Sequence, residues 1–143
     1  MIVLDTNVIS ELMRPSGDQR VVAWADGLPA DELYLTAITA AELRYGVARL
    51  PDGHRKSDLA NRVHRIIEDG FAGRVLAFDG EAAVHYMDAV LARERRGLRV
   101  TIADAQIAAI CRCRSAHLAT RNTRDFAHTR VRLIDPWKAA DVS

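Results

Sequence analysis

The sequence begins with MIVLDTN (residues 1–7), a short apolar run that ends directly on a carboxylate, Asp5. Open α/β sheets place reactive groups in this way, in the crevice beyond the carboxyl ends of buried strands. The residues after Asp5 carry apolar side chains at helical spacing as far as Pro15. The stretch therefore predicts a strand followed by a helix, with Asp5 as the first candidate functional residue.

Four more apolar runs alternate with segments of helical periodicity, at residues 33–35, 75–78, 117–120 and 131–134. Strands that alternate with helices imply a parallel sheet covered on both faces. The chain has 143 residues, the size of one domain. We expect a single domain over residues 1–137, followed by a C-terminal tail at 138–143.

The composition is that of a globular protein with nearly balanced charge. Hydrophobic residues make up 49% and charged residues 27%, which is typical of a globular chain and not of a disordered one. A net charge of +1 gives no sign of nucleic-acid binding through overall charge. All but two of the 20 basic residues are arginine, which suits phosphate contacts but equally reflects a GC-rich genome. The spacing of Cys111 and Cys113 favours reduced thiols over a disulfide or metal clip.

Four acids follow predicted strands or open predicted helices, namely Asp5, Glu42, Asp104 and Asp125. In a parallel sheet, the carboxyl ends of the strands and the first turns of the helices after them share one edge. This rule brings Asp5, Glu42 and Asp125 together. Asp104 precedes its strand, so the rule does not place it.

Each acid also has a purely structural explanation. Glu42 and Asp104 stand three residues after Thr39 and Thr101, the spacing of a capping box in which the threonine is the helix N-cap. The other two acids fit a helix cap and an ordinary turn. The combination of four acids, more than any single one, favours a functional cluster.

Carboxylates that converge in one pocket repel each other and raise each other's pKa unless a cation compensates. Oxygen ligands suit Mg²⁺ or Mn²⁺. Such an ion orients a water for attack on a phosphodiester and stabilises the charge on the leaving oxygen. The cluster therefore predicts metal-dependent hydrolysis of a nucleic-acid backbone.

Four segments in this order, residues 2–7, 39–46, 103–104 and 120–126, resemble the motifs of the PIN-domain family. More narrowly, they are similar to the VapC-type toxins of type II toxin–antitoxin modules, including the FitB-like branch. The resemblance extends from Met1 to about Trp137. It implies an α/β fold, a three-layer α/β/α sandwich with a central parallel sheet of four to five strands, usually present as a homodimer.

The resemblance also implies a Mg²⁺- or Mn²⁺-dependent endoribonuclease. Asp5, Glu42 and Asp104 match the family's acidic trio by position, and Asp125 matches a fourth, more variable acid. We expect Asp5 and Asp104 to bind the metal directly. Glu42 and Asp125 are expected to bind it through water or to position the attacking hydroxide.

Polar and basic residues within the same motifs complete the expected site. Those expected to orient the acids are Thr6, Asn7, Thr120 and Asn122. Those expected to contact RNA are Arg44, Arg121 and Arg124. In family members a cognate antitoxin, often with a DNA-binding half, wraps the toxin and blocks the acidic pocket. We therefore expect an antitoxin partner that forms a hetero-oligomer with this chain, an RNA substrate, and a cytoplasmic location without membrane attachment.

Two other functions stay open at this stage. Members of the FitB-like branch do not all cleave RNA robustly, so the chain can instead be a dimeric module that binds an antitoxin or RNA. A phosphotransfer domain also places an aspartate after its first strand, although Asn7 stands where one such class has a second aspartate. Apolar candidates for a dimer or antitoxin surface are Trp24, Leu43, Tyr45 and Val47.

Overall fold

A computed structural model describes residues 1–139 of the chain. Its centre is a sheet of five parallel strands in the order β3-β2-β1-β4-β5. The first strand lies in the middle, and Val3 pairs with Tyr34 on one side and Leu118 on the other. The strands are β1 (Ile2–Leu4), β2 (Leu33–Thr36), β3 (Val75–Leu76), β4 (His117–Ala119) and β5 (Leu133–Ile134).

Among the described residues, eight α-helices surround the sheet. They are α1 (Thr6–Met13), α2 (Gln19–Asp26), α3 (Ala37–Ala48), α4 (His54–Arg65), α5 (Gly80–Glu94), α6 (Ile102–Arg114), α7 (Thr123–Phe126) and α8 (Pro136–Ala139). A 3₁₀ turn (Ala30–Glu32) precedes β2, and a π-helical turn (Ile66–Gly70) continues α4. None of the helices within residues 1–139 is long and apolar enough to cross a membrane.

Successive residues of a strand point to opposite faces of the sheet, and here both faces are buried. Leu4 contributes to the core beneath α1 to α4, whereas its neighbour Val3 contributes to the core beneath α5 to α7. Leu35 and Leu118 repeat this division on the neighbouring strands. The predicted α/β fold with helices on both faces of a parallel sheet is confirmed.

The start of α3 differs from the sequence prediction. Thr36, at the end of β2, is the N-cap, and its hydroxyl accepts a hydrogen bond from the Thr39 N–H at 3.1 Å. The prediction of Thr39 as N-cap is therefore wrong, because the extended backbone ends at Thr36 and the helix begins one turn earlier. Glu42 lies in the second turn, where it takes no part in a capping box.

Four smaller predictions also change. The polar segment after β4 forms the short helix α7, and β3 and β5 are each two residues shorter than predicted. Leu43 and Val47 are buried in the core, so of the apolar docking candidates only Tyr45 is largely exposed. The expected tail at 138–143 overlaps α8 at its first two residues, and its remaining four lie outside the described residues.

Leu118 tests this core because it is fully buried in β4. We expect Leu118→Ala to lower the free energy of unfolding by about 2–5 kcal/mol, since a buried leucine loses both its transfer free energy and its packing. Val84→Ala, at a side chain 67% exposed on α5, is the control and should change it by less than about 0.5 kcal/mol. Urea unfolding followed by circular dichroism measures both, and equal effects would contradict the placement of Leu118.

Candidate active site

Asp5 directly follows β1 and lies beside the end of β4, where its N–H donates to the Ala119 carbonyl at 2.9 Å. The residue is only 6% exposed. Its Oδ1 accepts a hydrogen bond from the Thr6 N–H at 2.9 Å, so Asp5 caps α1. The sequence offered a helix cap as the structural explanation for this residue. Its Oδ2 accepts from the Thr120 hydroxyl at 2.8 Å and from the Asn7 amide at 3.2 Å. Capping therefore uses one oxygen of Asp5, and the other faces the residues that follow β4.

Burial raises the pKa of Asp5 above its ordinary value. The three hydrogen bonds lower the pKa, but together they do not reverse the increase. The negative charge of Asp125 raises it further. Hydrogen bonds to a charged acceptor contribute roughly 1.5–3 kcal/mol each, yet desolvation of the carboxylate is the larger effect here. Asp5 is thus a carboxylate held in position at an energetic cost.

Glu42 extends from the second turn of α3 towards Asp5. Its Oε1 accepts from the Thr6 hydroxyl at 3.2 Å, and the same hydroxyl lies 3.3 Å from that of Thr39. Partial burial raises the pKa of Glu42, and the charge of Asp5 adds to the increase. Thr6 therefore connects α1 to the two polar side chains that α3 presents at this edge.

Asp104 lies in the first turn of α6, whose N-cap is Thr101 as predicted. Burial raises the pKa of Asp104 to about 6, and the charges of Asp5, Asp125 and Glu42 all contribute to the increase. Because α6 packs across the sheet with its N-terminus at the carboxyl edge, Asp104 joins the other acids although its own strand comes later in the chain. The rule that groups acids after parallel strands could not predict this placement, because Asp104 precedes its strand.

Asp5, Glu42 and Asp104 line one open cavity of about 510 Å³. Asp125 is exposed on α7 and does not line the cavity, although its charge affects both buried aspartates. The other residues of the wall are Thr6, Asn7, Ser10, Glu11, Arg14, Arg121, Asn122 and Trp137. The structure thus assembles three of the four predicted acids.

The carboxylates fit a hard divalent cation by their chemistry. Asp5 uses three of about four lone-pair positions on hydrogen bonds and keeps one for an ion. Within residues 1–139, however, no three His, Cys, Asp or Glu side chains lie close enough to enclose an ion. Mg²⁺ commonly keeps several waters and binds through one or two carboxylates, so these acids suit a partly hydrated ion and not a closed cage.

Three of the four residues expected to orient the acids contact a carboxylate directly: Thr6, Asn7 and Thr120. Asn122 contributes through its backbone N–H, which donates to the Thr120 hydroxyl at 3.0 Å. The Asn7 side chain also accepts the Arg121 N–H at 3.2 Å. Together these bonds join the loop after β4 to the start of α1.

The three arginines expected to contact RNA lie in different surroundings. Arg121 lines the cavity, and its guanidinium lies 5.0 Å from the centre of the Trp137 ring. Arg44 instead forms an ion pair with Glu68 at 3.0 Å, which directs it towards the π-helical turn that continues α4. Arg124 is exposed on α7 and does not line the cavity.

Four residues of the cavity wall were not predicted from the sequence, namely Ser10, Glu11, Arg14 and Trp137. Glu11 is buried, forms an ion pair with Arg14 at 3.2 Å and accepts the Asp18 N–H at 3.0 Å. The available signal was its position three residues after Val8, on the apolar side of α1. An acid on the buried side of an amphipathic helix indicates a polar environment at that point.

This arrangement of acids can be compared with known proteins. Residues 2–131 match the PIN domain, which covers most of the chain. The chain belongs to the PIN-domain family. The resemblance identified from its four motifs is therefore confirmed, as is the sandwich fold with five strands.

Two relatives and one solved structure define its place among PIN domains. The chain is 44% identical over 137 residues to toxin FitB of Neisseria gonorrhoeae, covering 96% of this chain and 99% of FitB. It is 42% identical over 140 residues to VapC ribonuclease Y4jK of Sinorhizobium fredii, covering 98% and 100%. It matches a chain of the structure of FitAB bound to an IR36 DNA fragment with a TM-score of 0.90, 44% identity and 96% coverage of both chains.

The raised pKa of Asp104 predicts a stabilising substitution in this PIN domain. Between pH 3.8 and about 6 the folded state binds more protons at Asp104 than the unfolded state, so stability falls as the pH rises through this range. A pKa increase of this size corresponds to roughly 3 kcal/mol in full. Solvent screening at this half-buried site reduces it to about 1–2 kcal/mol.

We therefore expect Asp104→Asn to raise the free energy of unfolding by about 1–2 kcal/mol at pH 7 and to leave it unchanged near pH 4. Urea unfolding in the presence of a chelator measures it at both pH values. Asp31→Asn, at an exposed position in the 3₁₀ turn, is the matched control. A variant no more stable than the parent at pH 7 would contradict the cost of burying this carboxylate beside the other acids.

Proposed function

We propose that this chain is the toxin of a type II toxin–antitoxin pair and acts as an endoribonuclease that hydrolyses RNA phosphodiester bonds. The observation that carries the proposal is the shared cavity of Asp5, Glu42 and Asp104 at the carboxyl edge of the sheet. Similarity over nearly the whole length to a toxin and to a VapC ribonuclease supports it. Repelling carboxylates gathered in an open cavity destabilise the fold, which favours a functional explanation for them.

The proposed cofactor is Mg²⁺ or Mn²⁺. Asp5 and Asp104 would hold the ion directly, and Glu42 and Asp125 would reach it through water. When bound, the ion neutralises the repelling carboxylates and stabilises the negative charge of the phosphate at the scissile bond. A hard oxygen donor set, with a raised pKa at each of Asp5, Glu42 and Asp104, supports this assignment.

Apart from holding the metal ion, individual side chains have separate roles in the proposed reaction. Thr120 and Asn7 keep the Asp5 carboxylate in one orientation through their hydrogen bonds. Glu42 is exposed, and its raised pKa makes it a stronger base than an ordinary glutamate for accepting a proton from the attacking water. Arg121, supported by the Trp137 ring, is placed to bind a phosphate oxygen of the substrate.

The proposed antitoxin site is an apolar groove of about 890 Å³ beside the acidic cavity, between α1, α3 and α4. Its apolar wall includes Met13, Leu50 and Leu59 and, despite their low exposure, the core residues Leu43 and Val47. The groove shares Thr6 and Glu42 with the acidic cavity, so an apolar segment of the antitoxin lying there would also obstruct the acids. The similar structure of FitAB bound to a DNA fragment supports a two-component complex.

The nuclease proposal predicts metal-dependent cleavage of RNA. Purified chain, free of antitoxin, should cleave total tRNA or ribosomal RNA with Mn²⁺ or Mg²⁺ and stop when EDTA is added. Asp5→Asn and Asp104→Asn should each reduce the rate at least about 100-fold, because each removes a charge from the site that stabilises the transition state. Gel electrophoresis of end-labelled RNA measures the rate, with Asp31→Asn as the control.

The outcomes separate the three candidate functions. Cleavage that survives in both variants would identify a contaminating nuclease and overturn the proposal. Binding of RNA without cleavage would favour a dimeric binding module, and trapping of a phosphoaspartate with a small phosphodonor would favour a phosphotransfer domain. The homodimer implied by the family stays a prediction that light scattering of the purified chain tests.

In cells, expression of the parent chain should arrest growth within the induction period. Asp5→Asn and Asp104→Asn should restore growth because they remove cleavage, whereas Asp31→Asn should remain toxic. Colony counts after induction, with protein levels matched by immunoblot, measure the effect. Persistent arrest in both active-site variants would show that toxicity does not depend on the carboxylates.

A further inference from the structure

A strongly basic surface lies just beyond the C-terminus of α5 and along the segment before β5, outside the acidic cavity. We call this surface the basic band and define it as Arg95, Arg96, His128, Arg130 and Arg132. A cavity of about 640 Å³ lies among the first four, and a second cavity of about 500 Å³ shares Arg130 and adds Arg132. Among the described residues, no carboxylate lines either cavity.

The backbone before β5 exposes two of these basic residues. Thr129 is fully buried, and its hydroxyl donates to the Phe126 carbonyl at 2.6 Å. Its neighbours His128 and Arg130 are exposed and both have positive φ, 67° and 64°. Left-handed backbone is unfavourable for residues other than glycine, and it persists where surrounding contacts enforce it, commonly at functional sites. The buried threonine thus holds an exposed basic side chain on each side.

The structural contacts of this region are made by other arginines. Buried Arg93 donates to backbone carbonyls, and Arg112 pairs with Asp88 at 3.4 Å. Within residues 1–139, no carboxylate lies within ion-pair distance of any arginine of the band. The end of α5 accounts for Arg95 and Arg96, since cations are favourable at a helix C-terminus. It does not account for Arg130 and Arg132, which lie outside any helix.

The band is joined to the candidate active site through Arg93. Its guanidinium donates to the carbonyls of Arg124 at 3.1 Å and Ala127 at 2.8 Å, which lie on either side of Asp125. His128 follows Asp125 by three residues, so the backbone between them spans at most about 11 Å. Asp125 does not line the acidic cavity, but its charge acts on Asp5 and Asp104, so the band begins near that cavity.

We propose that the basic band binds the phosphate backbone of single-stranded RNA on one side of the scissile bond. The proposal rests on the proposed nuclease function and extends its substrate contacts beyond the acidic cavity. Exposed guanidinium groups without ion-pair partners suit phosphate oxygens, which they contact in bidentate geometry. Among the described residues, no Phe, Tyr or Trp lines either cavity, so the contact is to the backbone and not to stacked bases.

The test compares RNA binding by the full chain and by an Arg96→Glu/Arg130→Glu variant. The probe is a fluorescein-labelled single-stranded RNA of about 20 nucleotides, with EDTA present to prevent cleavage. We expect at least about tenfold weaker binding by fluorescence anisotropy. We also expect the plot of log K against log salt concentration to be shallower by about 0.7 for each phosphate that the variant no longer neutralises. The Arg96→Lys/Arg130→Lys variant keeps both charges and should retain most of the affinity.

Arg65→Glu is the matched control, because it reverses an exposed arginine on α4, across the sheet from the band. Unchanged affinity and salt dependence in the Arg96→Glu/Arg130→Glu variant would overturn the proposal, as would an equal loss in Arg65→Glu. Weaker binding of duplex DNA of the same length, with RNA binding unchanged, would overturn the choice of partner. Circular dichroism verifies that each variant is folded.

Cleavage of a dinucleotide, which is too short to span the cavity and the band, separates this inference from the nuclease proposal. The parent chain and the charge-reversed variant should cleave it at equal rates, and only the longer RNA should be cleaved more slowly by the variant. If the parent cleaves neither substrate while RNA binding still depends on the band, the nuclease proposal fails and the band inference stands. If the variant cleaves the longer RNA at the parent rate, the band inference fails alone.

Discussion

The buried carboxylate of Asp5 is the interaction on which the arrangement of this edge depends. It lies where β1 gives way to α1, and its three donors come from Thr6, Asn7 and Thr120. A buried charge is strongly unfavourable unless hydrogen bonds compensate for the lost water, so these donors must stay in place. Their positions in turn join the start of α1 to the loop after β4. One acid thereby caps α1, connects the end of β1 to the end of β4 and forms part of the candidate active site.

The other acids show why such a site opposes the stability of the fold that holds it. Asp104 would have an ordinary pKa on an open surface, and here burial and three neighbouring charges raise it to about 6. Neutral side chains of the same shape would relieve this repulsion. Proteins commonly accept lower stability where function requires a strained or charged site. A bound cation would remove the same repulsion without changing the sequence.

The two faces of the sheet carry different surfaces beside this edge. The side of α1, α3 and α4 presents an apolar groove, whereas the side of α5 and the segment before β5 presents the basic band. Both adjoin the acids, the groove through Thr6 and Glu42 and the band through Arg93 and the backbone around Asp125. An apolar protein segment and a polyanion can therefore approach this edge of the sheet from opposite sides. This separation allows a partner to control access without mimicking the RNA.

Local spacing along the chain is enough to predict most of this fold and part of its site. Alternating apolar runs and helical periodicity specify a parallel sheet with helices on both faces, and an acid directly after β1 specifies its edge. Two features required the folded chain, namely the residue that caps α3 and the place of Glu11 in the cavity wall. A third, the approach of Asp104 to Asp5, was implied by the family resemblance but not by the spacing of the chain. The last of these arises because α6 must bury its small apolar residues against the sheet, which brings its N-terminus to the carboxyl edge. Spacing in the sequence carries no information about that distance, whereas packing across the sheet determines it.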